Sequence, residues 1–262
     1  MLNNTYNILE LIGEGNFGKI YKGSNKLTNE LVAIKVEPIQ KQLKLLLNES
    51  KIYYLLKNTE GIPILKWFGK DNNNYYLITE LLGFSLNDVL NHSLTLSIII
   101  ELSIQMLQRI ESFHTIGLIH RDIKPDNFLF GLNDNKNKLY LIDYGLSKSY
   151  IKNDVHISYD KNKNIIGTPN YISLHIHNNS TASRRDDIES WIYVMMELMN
   201  INTWKIYDYY KTPDLFIQTK TNCISQNIPA FIKELLIYTR NLSFTDTPNY
   251  ELLYTILSNN IL

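Results

Sequence analysis

The chain has 262 residues, and its 26 basic and 26 acidic side chains give a formal net charge of +0. A hydrophobic content of 44% excludes an intrinsically disordered chain, and the balanced charge argues against nucleic-acid binding that depends on overall basicity. Cys223 is the single cysteine, which excludes a disulfide scaffold and indicates a reducing compartment.

The first residues of the sequence do not predict a signal peptide. Residues 1–7 are polar and lack the basic and long apolar regions of a signal peptide. The most apolar stretch, Leu94–Leu107, is too short to span a bilayer and contains Glu101 and Gln105. We therefore expect an intracellular, cytoplasmic protein that has neither a membrane nor a nucleic acid as a partner.

The order of the predicted elements indicates an α+β chain in two lobes. β-Branched and aromatic residues between turn signals predict early strands, and apolar residues at helical spacing predict one helix among them. Helical periodicity dominates after Gly83. We predict one domain over residues 1–262, with an N-lobe of about 1–80, a hinge at 80–83 and a C-lobe of about 84–262. The predicted strands are Tyr6–Gly13, Lys19–Asn25, Leu31–Glu37, Ile64–Gly69 and Tyr75–Leu81, and the predicted helices are Leu43–Leu56, Leu86–Asn91, Leu96–His114, Asp186–Met199 and Ala230–Leu242.

A G-x-G-x-x-G motif occupies residues 13–18. Alone it fits a dinucleotide-binding loop, a phosphate-binding loop between two strands, or a plain hairpin. Lys19–Gly23 resembles a strand, whereas a dinucleotide-binding motif opens a helix. A glycine loop between strands can fold over phosphates and offer them backbone N–H groups. The candidate phosphate-contacting residues are Gly13, Glu14, Gly15, Asn16, Phe17 and Gly18.

Lys35 lies in the apolar run Val32–Val36. An unpaired ammonium would be costly to bury there, so Lys35 needs an anionic partner unless it extends to the surface. Glu49, on the helix that follows, is the natural candidate. In the functional interpretation, Lys35 also contacts phosphates.

The densest group of polar residues is His120–Asn127, followed by Asp143-Tyr144-Gly145. Asp122 can accept a proton from an attacking hydroxyl, and Lys124 can neutralise charge on a transferred phosphoryl group. Asn127 and Asp143 supply hard oxygen ligands of the kind that Mg²⁺ prefers. The five-residue spacing from Asp122 to Asn127 places the base and one metal ligand on the same loop.

Together these motifs are identified as the protein kinase signature set. More narrowly, the sequence resembles the casein kinase 1 family of serine/threonine kinases over nearly the whole chain. Vaccinia-related kinases, the nearest alternative, carry glycine at the places that Arg121 and Asp186 occupy here. Abundant Asn, Ile and Tyr, which have A/T-rich codons, fit a viral member or one from an A/T-rich genome. The stretches that carry the likeness are Val32–Glu37, Glu49–Tyr53, Gly61–Pro63, Glu80–Gly83, His120–Leu129, Ser183–Ser190 and Thr247–Tyr250.

The resemblance implies a two-lobed kinase fold that holds ATP between its lobes. It assigns the adenine pocket to Ile12, Ile20, Ala33, Leu129 and Ile142. The backbone of Glu80 and Leu82 would bind the adenine edge, Thr79 would be the gatekeeper, and Lys19 completes the ATP-binding set. Arg184 would bind the anionic group of acidic or prephosphorylated protein substrates. Asp187 would hydrogen-bond the catalytic-loop backbone, and the protein would be a monomer.

Several features depart from the family pattern, among them Ile192, which replaces a glycine common in the helix that carries Asp187. Tyr144 replaces the usual Phe after the metal-binding Asp, the Ala-Pro-Glu anchor is missing, and residues 200–226 are short and divergent. Arg121 often pairs with a phosphorylated activation loop, which casein kinase 1 enzymes generally do not need. For a viral member, the location would be the host cytoplasm or nucleus, or the virion.

We therefore expect an ATP- and Mg²⁺-dependent protein serine/threonine kinase. Its catalytic residues would be Asp122, Lys124, Lys35 and Glu49, and its metal ligands Asn127 and Asp143. The first rival interpretation is a pseudokinase scaffold, which predicts the loss of at least one of these residues. The second is a kinase-fold enzyme that acts on a small molecule, which the protein-kinase-like segment Gly167–Tyr171 disfavours.

Overall fold

A computed structural model describes residues 5–15, 18–40, 44–161 and 163–261. The chain forms two compact units, of which the first contains residues up to 84 together with 129–146, and the second contains 85–128 and the residues from 147 onward. The return of 129–146 to the first unit was not predicted. Asn16 and Phe17, two predicted phosphate-contacting residues, lie outside the described residues.

The first unit is built on an antiparallel five-stranded sheet. One helix, α1 (Leu45–Leu55), packs against the sheet. The short strands Phe128–Phe130 and Leu139–Leu141 pair with each other. The strands of the sheet are β1 (Tyr6–Gly15), β2 (Gly18–Asn25), β3 (Leu31–Pro38), β4 (Leu65–Lys70) and β5 (Asn74–Glu80). They lie in the order β1-β2-β3-β5-β4 across the sheet.

The alternation of side chains along β3 divides the sheet into two faces. Val32 and Ile34 are fully buried and form a core cluster with Tyr76 and Ile78 of β5. The intervening residues, Ala33 and Lys35, therefore belong to the opposite face. That second face carries the candidate functional groups of this unit.

The second unit is mainly helical. Its central helix is α5 (Arg184–Leu198), in which every residue from Ile188 to Met196 is buried. This helix therefore forms the core of the unit. Short strand pairs join Leu118–Ile119 to Lys148–Ser149 and Ile151–Lys152 to Val155–His156. The helices are α2 (Leu86–Val89), α3 (Leu96–Thr115), α4 (Leu174–His177), α5 (Arg184–Leu198), α6 (Pro213–Asn222), α7 (Ala230–Asn241) and α8 (Tyr250–Ser258).

The predicted strands and helices are confirmed, and their ends coincide with the predicted ends or differ from them by one or two residues. The indole rings of Trp191 and Trp204 are fully buried. The helices α4, α6 and α8 were not predicted, because α4 is a single turn and the other two follow segments dominated by turn residues. Within the described residues, no helix is long and apolar enough to cross a membrane.

Candidate active site

Lys35 lies between two carboxylates in the first unit. Its Nζ atom is 2.7 Å from Glu49 Oε2 and 2.7 Å from Asp143 Oδ1. The pairing with Glu49 is confirmed, and Asp143 is a second partner that the sequence did not reveal. Strand β3 supplies the lysine and helix α1 supplies the glutamate, so this contact fixes the helix against the sheet.

Burial and neighbouring charges shift the pKa values of Lys35 and Glu49 in opposite directions. Burial alone would lower the pKa of Lys35, but Asp143 and Glu49 outweigh it and hold that pKa above its ordinary value. Burial raises the pKa of Glu49, which Lys35 partly offsets. The lysine is therefore a fixed cation, suited to holding phosphate oxygens in place.

Helix α1 also holds the segment 143–145. The side-chain amide of Asn48 donates to the carbonyls of Tyr144 and Gly145, at 3.4 and 3.1 Å. The rings of Tyr53 and Tyr144 pack with their centroids 4.7 Å apart, and the Tyr144 hydroxyl donates to the carbonyl of Leu141. The extra hydroxyl of Tyr144, relative to the usual Phe, thus has a partner inside the same segment.

The glycine motif lies in the β1–β2 hairpin, where Glu14 pairs with Lys19 and Gly15 with Gly18. The motif joins two antiparallel strands, which excludes the helix-opening dinucleotide motif. At Gly18, φ is +142°, and a Cβ atom would lie 2.2 Å from the Val36 carbonyl oxygen, so only glycine fits. The side chains of Glu14 and Lys19 are more than half exposed and only 3.6 Å apart.

The predicted adenine-binding residues all lie in the first unit. Ala33 is the register partner of Thr79, and Ile20 that of Lys35, which brings these four residues to the second face of the sheet. In the predicted hinge, the N–H of Gly83 donates to the carbonyl of Phe130 at 2.8 Å. Ile12 is half exposed, Thr79 is buried, and the residues of intermediate burial are Ile20, Ala33, Glu80, Leu82, Leu129 and Ile142.

Asp122 is the centre of the site in the second unit, where it is 5% exposed. Its Oδ2 atom is 2.9 Å from Lys124 Nζ, and its Oδ1 atom accepts the hydroxyl of Thr168 at 2.8 Å. The side-chain amide of Asn127 donates to the Asp122 carbonyl at 2.8 Å. A side-chain amide ligates cations through its oxygen, and this hydrogen bond orients the amide of Asn127. The sequence did not indicate the contact with Thr168.

Asp187, at the start of α5, holds the backbone of this loop. Its carboxylate accepts the N–H groups of His120 and Arg121 at 2.6 and 2.9 Å, which confirms the predicted role. Burial alone would raise the pKa of Asp187, but His114 and the backbone donors hold it below its ordinary value. Arg121 has a φ of +69°, a conformation that these two hydrogen bonds help to maintain.

A basic cavity of about 280 Å³ lies in the second unit. Arg121, Lys148 and Lys163 line it, together with Asp186 and Asp187. The sequence did not reveal this set, because the two lysines and Arg121 are far apart in the chain and only the fold brings them together.

Arg184, the predicted substrate-anion residue, does not line this cavity. Its guanidinium lies 4.5 Å from the centre of the Tyr150 ring and donates to the Tyr150 hydroxyl and the Thr245 carbonyl. Its predicted role in binding substrate anions stays a prediction.

A family model of the protein kinase domain matches residues 6–242. The chain therefore belongs to the protein kinase family, whose members transfer a phosphoryl group from ATP to proteins. The predicted fold class, a β-rich unit with one main helix and a mostly helical unit, is confirmed. The described residues contain no group of three or more His, Cys, Asp or Glu side chains that could hold a metal ion. Asn127 and Asp143 stay predicted metal ligands.

Proposed function

We propose that the protein is a Mg²⁺-dependent serine/threonine protein kinase of the casein kinase 1 type. The observation that carries this proposal is the environment of Asp122. One carboxylate oxygen already accepts an aliphatic hydroxyl, that of Thr168, while the other lies beside the ammonium of Lys124. A serine or threonine side chain of a substrate would present the same kind of hydroxyl to this carboxylate.

Asp122 would orient the substrate oxygen and accept its proton. The oxygen forms a bond to the γ-phosphorus of ATP, the bond from that phosphorus to the β–γ bridging oxygen breaks, and ADP leaves. Lys124 would neutralise the charge on the phosphoryl group in transit, and Lys35 would hold the phosphates of ATP. Positioning and electrostatic stabilisation supply most of the catalysis in this reaction class.

The donor set of the chain fits Mg²⁺. Asp143 offers a carboxylate and Asn127 an amide oxygen, both hard ligands, and the rest of the coordination shell of this ion usually comes from water and phosphate. The bound ion would neutralise charge on the β- and γ-phosphates. Asp143 is oriented by Lys35, and Asn127 by its bond to the Asp122 carbonyl.

Two features support the narrower assignment. Lys124 occupies the catalytic-loop position where serine/threonine kinases carry lysine, and the Ser183–Ser190 stretch resembles casein kinase 1. The basic cavity formed by Arg121, Lys148 and Lys163 fits a preference for acidic or prephosphorylated substrates, because clustered cations bind carboxylate and phosphate groups.

The first experiment measures phosphate transfer from labelled ATP to casein by the wild type, Asp122→Asn and Asp134→Asn. Asp134 is exposed in a turn, so its substitution is the matched control. We expect activity in the wild type and the control, a loss of about 1,000-fold or more in Asp122→Asn, and label on serine or threonine. Equal activity in all three proteins, or label on tyrosine alone, would overturn the proposal. Binding of ATP by the wild type without turnover would instead support the scaffold interpretation.

The second experiment tests the substrate preference with peptides that carry one phosphoserine at successive positions around an acceptor serine. The variants are Lys148→Gln, Lys163→Gln and Arg184→Gln, with the exposed Lys152→Gln as the control. We expect the two cavity variants to raise KM for the best phosphorylated peptide while leaving the unphosphorylated peptide unaffected. A wild type that does not distinguish the peptides would contradict the preference. An effect of Arg184→Gln alone would place the anion at Arg184.

A further inference from the structure

We propose that Lys220 is a positioning residue, whose buried ammonium anchors the segment 167–173 and thereby holds Thr168 against Asp122. The inference rests on the proposed phosphotransfer at Asp122. It also assigns a role to the divergent region 200–226, in which Lys220 lies.

The Lys220 side chain is fully buried on α6. Its Nζ atom donates to three backbone carbonyls, those of Pro169, Asn170 and Ile172, at 3.1, 3.0 and 2.7 Å. A fourth contact, at 3.4 Å, joins it to Nε2 of His177. The three carbonyls belong to four consecutive residues, so a single cation holds one short segment.

The groups around Nζ match the charged form of the amine and offset part of the cost of burying it. An ammonium has three N–H bonds, which match the three carbonyl acceptors, whereas a neutral amine has only two. The ring centroids of Tyr193, Trp204 and Phe216 lie 4.3, 5.4 and 5.7 Å from Nζ, within the range of cation–π attraction. Burial lowers the pKa of Lys220, and the charge of Glu189 opposes that shift.

The anchored segment leads directly to the catalytic carboxylate. The carbonyl of Thr168 accepts the N–H groups of Tyr171 and Ile172, so the turn that Lys220 holds includes Thr168. The Thr168 hydroxyl donates to Asp122 Oδ1 at 2.8 Å. A second bond, from the indole N–H of Trp204 to the Asn170 carbonyl, fixes the same turn from the divergent region.

The position of this cation explains how the segment is held without an Ala-Pro-Glu sequence. The chain has Ile172-Ser173-Leu174 at the end of the segment. Pro169, Asn170 and Ile172 offer only backbone carbonyls to Lys220, so the anchor requires no particular side chain in the segment. The anchor depends instead on Lys220 and on the aromatic rings around its ammonium.

The test compares Lys220→Met with the wild type and with Lys211→Met, a control lysine that is 82% exposed. Methionine keeps the apolar stem among the three rings and removes the three charged hydrogen bonds. With casein as substrate, we expect kcat to fall by on the order of 10- to 100-fold, because small displacements of catalytic groups cost about that much. KM for ATP should stay unchanged, since the predicted adenine-binding residues and Lys35 lie in the other unit.

Amide hydrogen exchange is measured on the same proteins. Lys220→Met should speed exchange at residues 168–173 while α3 and α5 remain protected. If Lys220→Met does not fold, Trp204→Phe replaces it, because this change keeps an aromatic ring and removes the bond to Asn170 together with part of the buried indole. Unchanged kcat together with unchanged exchange at 168–173 would overturn the inference, as would faster exchange spread evenly over the second unit. An inactive wild type would refute the proposed function, whereas the exchange measurement would still test the anchor.

Discussion

Lys35→Met is the substitution whose effect on stability the structure predicts most directly. The change removes a cation that lies 2.7 Å from each of two carboxylates. The side chains of Glu49 and Asp143 are only 3% and 18% exposed, so water cannot replace the lost ammonium. The variant must then hold two like charges in the same buried place or protonate one of them.

Each contact amounts to about 6 kcal/mol at 2.7 Å with an effective dielectric constant of about 20. Most of this attraction offsets the cost of removing three charges from water. Breaking a buried ion pair by deleting one partner typically costs about 3–5 kcal/mol. We expect a loss of this size in the free energy of unfolding of Lys35→Met at pH 7.5.

The dependence on pH identifies the cause. Burial places the pKa of Glu49 above its unfolded value, and the loss of Lys35 removes the opposing interaction. A carboxyl group with a raised pKa contributes stability below its unfolded pKa and loses that contribution as the pH rises through its folded pKa. The deficit of Lys35→Met should therefore shrink as the pH falls from 7.5 towards 4.5.

Urea unfolding of four proteins measures these quantities: the wild type, Lys35→Met, Glu49→Gln and the double variant. The double variant should recover at least 1 kcal/mol relative to Lys35→Met at pH 7.5, because it no longer buries an unpaired Glu49 charge. The reasoning is refuted by a deficit of Lys35→Met below about 1 kcal/mol at pH 7.5. A deficit that does not change with pH would refute it equally.

Three further substitutions test the packing around the site. Tyr144→Phe removes the hydroxyl that donates to the carbonyl of Leu141. We expect the free energy of unfolding in urea to fall by about 1–2 kcal/mol, and an unchanged midpoint would contradict this. The N–H groups of His120 and Arg121 bond to different oxygens of Asp187, so Asp187→Asn leaves only one acceptor for them and should cost about 2 kcal/mol or more by the same method. Burial lowers the pKa of His177 to about 3, so the wild type should lose stability as the pH falls below about 6.5. His177→Gln should flatten that loss in thermal unfolding between pH 7 and 5, and an unaltered pH profile would exclude His177 as its source.

Sequence patterns predicted those parts of the site that are formed by residues close together in the chain. Alternation along β3 placed Lys35 among apolar neighbours, and the need to neutralise a buried cation led to Glu49. The loop from His120 to Asn127 is compact enough that spacing alone brings Asp122 near Asn127. In each case the relevant physics acts within one element or between consecutive elements.

The remaining contacts depend on distant residues. Lys220 lies 48 residues after Ile172, and in the sequence it is an ordinary lysine in a helix that was not predicted. Lys148 and Lys163 carry no local signal that associates them with Arg121. Contacts to backbone carbonyls cannot be recognised from the sequence, because every residue has the same carbonyl. A cavity cannot be recognised either, because only the fold brings its lining residues together. Such sites become visible only when the fold is known.

The alternation of β3 also determines where the chain tolerates changes in length. A single residue inserted within Leu31–Pro38 would exchange the face of Ala33 and Lys35 with the face of Val32 and Ile34. The insertion would therefore bury the lysine in the apolar cluster and expose the valine and isoleucine. The turn before this strand has no such constraint, and Leu27 in it is 86% exposed. Insertions and deletions should therefore accumulate among residues 26–29 while the strand itself keeps a fixed length.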